Sequence, residues 1–141
     1  MEHAVAQATS CGQIKFLANI AGIQHINSVE HFPMEQYDVM QRIMLRAPFL
    51  LAKLCIPHMK NSASGTGAIG NMASVHVHIY TVNKPVYNIT KYGLMALSQS
   101  ISAEGDGMIR SFTVSSGFVS RYARYLVGGD VLFDGGMVLT Y

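Results

Sequence analysis

Three side chains near the middle of the chain have the types and spacing of a proton-transfer site. Tyr87 and Lys91 are four residues apart, and on a helix this spacing puts both side chains on one face. An ammonium about 4 Å from a phenol, at an effective dielectric constant of about 20, stabilises the phenolate by about 4 kcal/mol. That favours general acid–base chemistry near neutral pH. Ser74, at the end of a predicted strand, could hydrogen-bond the carbonyl oxygen that Tyr87 protonates. The spacing alone also fits an ordinary pair on a helix surface.

The elements that must position these residues are predicted to alternate between helix and strand. The pattern indicates helices over 2–10, 33–57 and 86–103, and strands over 14–20, 68–74, 109–115 and 131–133. Strands separated by helices form parallel sheets through right-handed crossovers. The predicted fold class is therefore α/β, an open parallel sheet of about four strands flanked by helices. In such sheets ligands bind beyond the carboxyl ends of the strands, here at 19–24, 74–78 and 115–119.

The finer features of these elements are also predictable. The strand over 14–20 is nearly all apolar, which is typical of a strand buried on both faces. Pro33 suits the first turn of the long helix and Pro57 is predicted to end it. Pro48 lies within its apolar stripe and is expected to kink or open it locally.

A glycine pattern that could suggest a nucleotide site is predicted to be a loop. Residues 65–70 match G-x-G-x-x-G letter for letter. The dinucleotide fingerprint needs these glycines after a strand and at the start of a helix. Here they follow a Ser- and Gly-rich loop and lead into a strand, so a plain loop is the favoured interpretation.

Composition excludes several function classes. The chain has 141 residues, of which 50% are hydrophobic and 13% charged, which indicates one folded domain rather than disorder. The net charge of +2 comes without any block of basic residues, which argues against nucleic-acid binding. No apolar run is long enough for a transmembrane helix. Two cysteines and no signal-like N-terminus favour a reducing, cytoplasmic location.

Several motifs, in order and spacing, resemble the short-chain dehydrogenase/reductase family. They are Asn19-Ile20-Ala21-Gly22, Asn71-Met72-Ala73-Ser74, the Tyr87-x-x-x-Lys91 pair, Ser116-Gly117-Phe118-Val119 and Asp134-Gly135-Gly136. The resemblance implies a partial Rossmann-like sheet that corresponds to strands 4–7 of the family. It also implies a single truncated domain over residues 1–141, without the N-terminal phosphate-binding strands and most of the substrate lid.

The resemblance further implies hydride transfer with NAD as the cofactor, NADP not being excluded. Ser74, Tyr87 and Lys91 would be the catalytic residues. The cofactor-binding residues would be Asn19, Ala21, Gly22, Tyr87, Lys91, Gly117 and Val119. No metal is expected. In the family the long helix and the Tyr-Lys helix pack against partner subunits, so a homo-oligomer is expected.

Within this family the loops are most similar to those of members that oxidise 3-hydroxybutyrate. Gln24, His76 and Lys84 would hold the carboxylate of a short 3-hydroxy acid, a ligand that suits a cation and neutral donors. Plainer interpretations stay open. His76 and His78 could be surface residues on an extended run, Gln24 a turn residue, and Lys84 a solvated loop charge.

The departures from the family pattern support a second hypothesis. The first three strands have no counterpart, so the strand edge at 15–20 is expected to be unpaired. Met44 stands where the family has a catalytic asparagine, and a thioether cannot replace the hydrogen bonds of an amide. The alternative is a catalytically inactive dehydrogenase remnant that acts only as a folded or oligomerising module.

Overall fold

The computed structural model describes residues 1–77 and 81–115 as an α/β unit with parallel strands. The elements are α1 (Glu2–Cys11), β1 (Phe16–Asn19), α2 (Met34–Gln41), a π-helical segment (Arg42–Arg46), α3 (Ala47–Lys60), β2 (Gly67–Met72), a 3₁₀ turn (Val75–Val77), α4 (Pro85–Glu104) and β3 (Ile109–Val114). The α/β class is confirmed. The strand predicted at 131–133 lies outside the described residues.

The three described strands form one parallel sheet with β2 at its centre. The order is β1-β2-β3, with Asn19 opposite Asn71 and Asn71 opposite Thr113. On one face, the rings of Phe16 and Phe112 stack 6.3 Å apart, centroid to centroid. A Cβ on the central Gly70 would lie 3.1 Å from one ring and 3.2 Å from the other. The glycine therefore allows the aromatic rings of the outer strands to cover the middle strand.

The prediction that the first strand is buried on both faces is wrong. β1 spans only four residues, and Phe16 and Ile20 are 56% and 63% exposed. Within the described residues β1 pairs with β2 alone, and the unpaired edge stays a prediction for the whole chain. An apolar run predicts burial on both faces only if other elements cover both, and among the described residues the face that carries Phe16 stays largely exposed.

The long helix is continuous but changes its winding before Pro48. Pro33 caps α2, and the backbone N–H of Ala47 bonds back to the carbonyl of Arg42, five residues earlier. Proline has no N–H and its ring collides with the carbonyl four residues before it, so a wider turn at this point accommodates Pro48. The expected local opening is confirmed. The predicted end at Pro57 is wrong, because α3 continues to Lys60.

Two apolar clusters hold the layers together. The larger joins α1, α3 and the sheet, and includes Cys55, Met59, Ile69 and Ile109. The smaller joins the π-helical segment to the start of α4 and consists of Met40, Met44 and Val86, with Tyr37 and Tyr87 packed against it. The second cluster therefore packs directly against the ring of Tyr87.

Residues 65–70 form a loop that enters a strand, as predicted. β2 begins at Gly67, and no helix follows these glycines. The pattern therefore lacks the helix N-terminus that a pyrophosphate site requires. In addition, none of the helices in the described part of the chain has the length and hydropathy needed to cross a bilayer.

Gly105 gives a direct test of the connection between α4 and β3. Its carbonyl accepts from the N–H groups of Met108 and Ile109, and a Cβ at this position would collide with the carbonyl of Ile109. Because the obstacle is backbone, we expect Gly105→Ala to lower the free energy of unfolding by about 2–3 kcal/mol. Denaturant titration measures this. Ser100→Ala, on the exposed face of α4, should change it by less than about 0.5 kcal/mol, and equal effects of the two variants would refute the collision.

Candidate active site

The carboxyl ends of the strands bring together residues that are far apart in the chain. Gly22 follows β1, Ser74 and His76 follow β2, and Tyr87 and Lys91 lie in the first two turns of α4. α4 runs along β2 and β3 and also contacts the 3₁₀ turn. The side chains predicted for proton transfer therefore lie together at the carboxyl ends of the strands.

Lys91 is a buried cation at the carboxyl end of β2. Its side chain is only 3% exposed, and Nζ donates to the backbone carbonyl of Met72 over 2.6 Å. Nζ lies 5.5 Å from the ring centroid of Tyr87. Burial lowers the pKa of Lys91 below its ordinary value, because desolvation penalises the ammonium. An ammonium has three donors, and within the described residues the other two N–H groups of Lys91 make no hydrogen bond.

Ser74 and His76 form a hydrogen-bonded pair beside Tyr87. Ser74 Oγ lies 2.9 Å from His76 Nδ1 and also accepts from the backbone N–H of His76 at 3.4 Å. The imidazole packs edge-on against the phenol of Tyr87, with 5.5 Å between ring centroids. Burial, and secondarily the charge of Lys84, lower the pKa of His76. The neutral imidazole is therefore favoured.

The local structure around His76 differs from the prediction. β2 ends at Met72, and residues 75–77 form a 3₁₀ turn that is closed by the N–H of Val77 on the carbonyl of Ser74. His76 is 8% exposed, so it is neither on an extended run nor a surface residue. The turn brings the imidazole Nδ1 to 2.9 Å from the serine hydroxyl, whereas in an extended strand the two residues would share a face but stand about 6.6 Å apart along the chain.

Gly22 and Met44 form the side of the site towards β1. A Cβ on Gly22 would lie 3.6 Å from Met44 Sδ and 3.7 Å from Lys91 Nζ. The exposed backbone at Gly22 therefore lies beside the ammonium. Met44 is fully buried within the π-helical segment, and π-helical turns often occur at functional sites.

A buried amide ladder behind the site was not predicted. Asn19 Nδ2 donates to Asn71 Oδ1, and Asn71 Nδ2 donates to Ser98 Oγ, each over 2.8 Å. Ser98 Oγ in turn donates to the carbonyl of Leu94. The ladder ties β1 and β2 to α4. The side chain of Asn19, predicted to lie near the cofactor, is thus occupied inside the sheet. Lys91, Leu94 and Ser98 share one helix face, which is the only sequence signal for Ser98.

The remaining predicted residues are placed as follows. Ala21 and Gln24 are exposed, and Gln24 makes no hydrogen bond with the described residues. Lys84 is half-buried at the start of α4. Gly117 and Val119 lie outside the described residues. Within the described ranges, no three His, Cys, Asp or Glu side chains are grouped so that they could hold a metal. The functional roles of all these residues stay predictions.

Comparison with known proteins defines the family. Residues 1–134 match the sequence model of a family described as enoyl-(acyl carrier protein) reductase. An oxidoreductase of Bacillus subtilis is 36% identical over 94 residues, which are 67% of this chain and 36% of that protein. The chain belongs to the short-chain dehydrogenase/reductase family, and its family and relatives are oxidoreductases.

More specific relatives are matched over part of their length. The D-beta-hydroxybutyrate dehydrogenase of Rhizobium meliloti is 34% identical over 93 residues, 66% of this chain and 35% of that protein. A crystal structure of a gluconate 5-dehydrogenase from Burkholderia cenocepacia, in complex with NADP and tartrate, has a TM-score of 0.78 and 25% identity. That match covers 91% of this chain and 51% of the other. The chain thus spans about half of that structure and about a third of the curated relatives.

Two serines on α4 test the amide ladder. Ser98 and Ser100 each donate to the carbonyl four residues earlier, but Ser98 is buried and also accepts from Asn71. Ser98→Ala leaves that amide N–H unsatisfied, so we expect a loss of about 1–3 kcal/mol in the free energy of unfolding. Ser100→Ala should stay within about 0.5 kcal/mol. If urea unfolding gives the same small loss for both, the ladder does not stabilise the fold.

Proposed function

We propose that this protein transfers hydride between a nicotinamide cofactor and a short hydroxy acid or the corresponding ketone. The observation that carries the proposal is the juxtaposition of Tyr87, the buried Lys91 ammonium and the Ser74–His76 pair. The match to D-beta-hydroxybutyrate dehydrogenases supports a 3-hydroxy acid as the substrate class. We further propose a cytoplasmic location, with no membrane or nucleic-acid partner.

The residues present fit the ribose and nicotinamide end of such a cofactor. Two donors of Lys91 have no partner among the described residues, and the exposed backbone at Gly22 leaves space next to them. Lys91, Gly22 and Ala21 would hold the ribose, with Gly117 and Val119 near the nicotinamide. Asn19 would act by holding β1 in register with β2. When bound, the cofactor accepts or supplies the hydride. We propose NAD as the cofactor; the NADP in the Burkholderia structure leaves NADP as its competitor.

The chain's own residues would handle the proton and the substrate oxygen. Tyr87 would exchange a proton with the substrate oxygen through its hydroxyl. The Lys91 ammonium would stabilise the phenolate, and its bond to the Met72 carbonyl holds it in place. Ser74 would donate to the same oxygen. His76 and Lys84, which interact electrostatically, would face the carboxylate, and Gln24 would close the site from the β1 side.

The proposed chemistry is tested by two measurements on one protein. NADH binding, followed by fluorescence or calorimetry, is expected at micromolar to millimolar concentrations. Tyr87→Phe should lower kcat/KM for 3-hydroxybutyrate by at least about a hundredfold, because the acid–base group is lost, with little effect on NADH binding. Tyr37→Phe is the matched control, since Tyr37 packs on the same apolar cluster. Its activity should be unchanged.

A specific result would contradict this proposal. If the purified chain binds neither NADH nor NADPH at millimolar concentration, it is not an enzyme on its own. The alternative, an inactive dehydrogenase module, then holds. Among the described strands β1 pairs only with β2, which favours this alternative, because a sheet that ends at β1 would offer a cofactor only one wall of the crevice.

We also propose that the protein is a homo-oligomer and that the helical face around Phe49 forms the contact. Phe49 is 58% exposed. It borders a cavity of about 370 Å³ that Gln41, Leu45, Arg46 and Leu97 also line. A projecting ring and an apolar recess on one face are the self-complementary combination that a twofold contact needs. The proposed partner is a second copy of this chain.

Sedimentation velocity tests the self-association. Phe49→Ser should shift the protein towards monomer and raise the dissociation constant at least about tenfold, because a large buried aromatic anchor is lost. Val82→Ser, which removes an apolar side chain that is 86% exposed elsewhere, should leave the distribution unchanged. A wild-type protein that stays monomeric at high concentration would refute the contact.

A further inference from the structure

The Ser74–His76 pair contains one buried nitrogen that no described residue engages. Nδ1 of His76 is engaged with Ser74 Oγ, whereas Nε2 is buried and has no partner among the described residues. A buried polar group without a partner costs about 1–3 kcal/mol. The imidazole is more than nine-tenths buried and lies against Tyr87, so a ligand held at Nε2 would lie within reach of the phenol.

Counting protons shows a conflict between two proposed donors. If Nδ1 carries no proton, it accepts from Ser74, and the serine hydroxyl is not free for a substrate oxygen. If Nδ1 carries the only proton, Ser74 is free, but Nε2 is a bare acceptor that repels an anion. A neutral imidazole therefore serves either the serine or a carboxylate, but not both. Only the doubly protonated ring donates to Ser74 Oγ and to an anion together.

We propose that His76 couples the binding of an anionic group at Nε2 to the release of the Ser74 hydroxyl. The bound anion stabilises the imidazolium, so the imidazole takes up one proton from solvent. Nδ1–H then donates to Ser74 Oγ, and the serine proton becomes available to the substrate oxygen. No covalent bond is formed or broken apart from this proton's. The inference rests on the proposed function and narrows its substrate class to compounds that carry a carboxylate.

The charges around the imidazole support this coupling. Among the described residues, the ionisable groups that face it are Tyr87 and, behind the phenol, Lys91, both on α4, and Lys84 immediately before α4. Among the described residues no Asp or Glu forms an ion pair with His76. Burial and the Lys84 charge lower the pKa of the free imidazole. A second cation beside Lys84 is unfavourable until an anion arrives between them, so protonation and anion binding must occur together.

The consequence is discrimination between charged and neutral substrates. A bound carboxylate stabilises the imidazolium, and the imidazolium Nε2–H then donates the hydrogen bond that holds the carboxylate. A neutral ketone brings no charge and can use Ser74 only if Nε2 stays buried and unpartnered. His76 is in this sense a specificity-determining residue that acts on the reacting oxygen through Ser74.

The decisive experiment observes the His76 ring directly. Nitrogen-15 NMR of the imidazole should show a neutral ring in the free protein near pH 7. Addition of millimolar 3-hydroxybutyrate should convert it to the doubly protonated form, and calorimetry in buffers of different ionisation enthalpy should show uptake approaching one proton per bound anion. The methyl ester of the same acid should cause neither change. The exposed His58 serves as an internal reference.

Variants separate coupling from simple binding. His76→Gln keeps a donor but cannot titrate, so anion binding should persist without proton uptake. Ser74→Ala removes the acceptor for Nδ1–H and should reduce the uptake at least severalfold, whereas Ser100→Ala should not. The inference is overturned if His76 stays neutral when the acid is added, or if the ester protonates it equally.

These measurements need no cofactor. A chain that fails to bind NADH but protonates His76 on anion binding retains this inference and loses the proposed function. The reverse result retains hydride transfer and removes the coupling.

Discussion

The placement of one buried ammonium determines how the rest of the site is arranged. Lys91 is held under the sheet edge by the carbonyl of Met72, so α4 must lie closely along the end of β2. A buried cation is costly unless it is hydrogen-bonded. The amide ladder from Asn19 through Asn71 to Ser98 fixes this approach by tying both strands to the same helix. Lys91 and the amide ladder thus determine where the phenol of Tyr87, one helical turn from Lys91, is placed.

Much of the scaffold follows from local signals. α4, β2 and β3 are found within one or two residues of their predicted limits, because glycines and prolines mark their ends. The errors arise where distant residues decide. Burial of β1 depends on whether another layer covers the sheet face of Phe16. The helix α3 continues past Pro57 to place Met59 in the core. Local sequence contains neither kind of information.

The site was predictable to a similar extent. The Tyr87–Lys91 spacing is a local property of a helix and could be recognised directly. Asn71 and Ser98 are 27 residues apart, and their hydrogen bond depends on strand register and helix rotation together. The turn that brings His76 onto Ser74 was missed because Val75-His76-Val77 has the composition of a strand. Three-residue turns leave little trace in hydrophobic periodicity.

The π-helical segment before Pro48 also sets the rotation of the helix that follows it. A turn with one extra residue rotates everything after it by about 100° relative to a regular α-helix. Met44, inside this segment, is fully buried beside Gly22, whereas Phe49, in the helix that follows, is 58% exposed. A single-residue deletion within Arg42–Arg46 would remove the extra residue and turn α3 by about 100° relative to α2. The length of this stretch therefore determines which face of α3 meets the sheet, so the deletion should draw Cys55 and Met59 out of the core although neither side chain is changed.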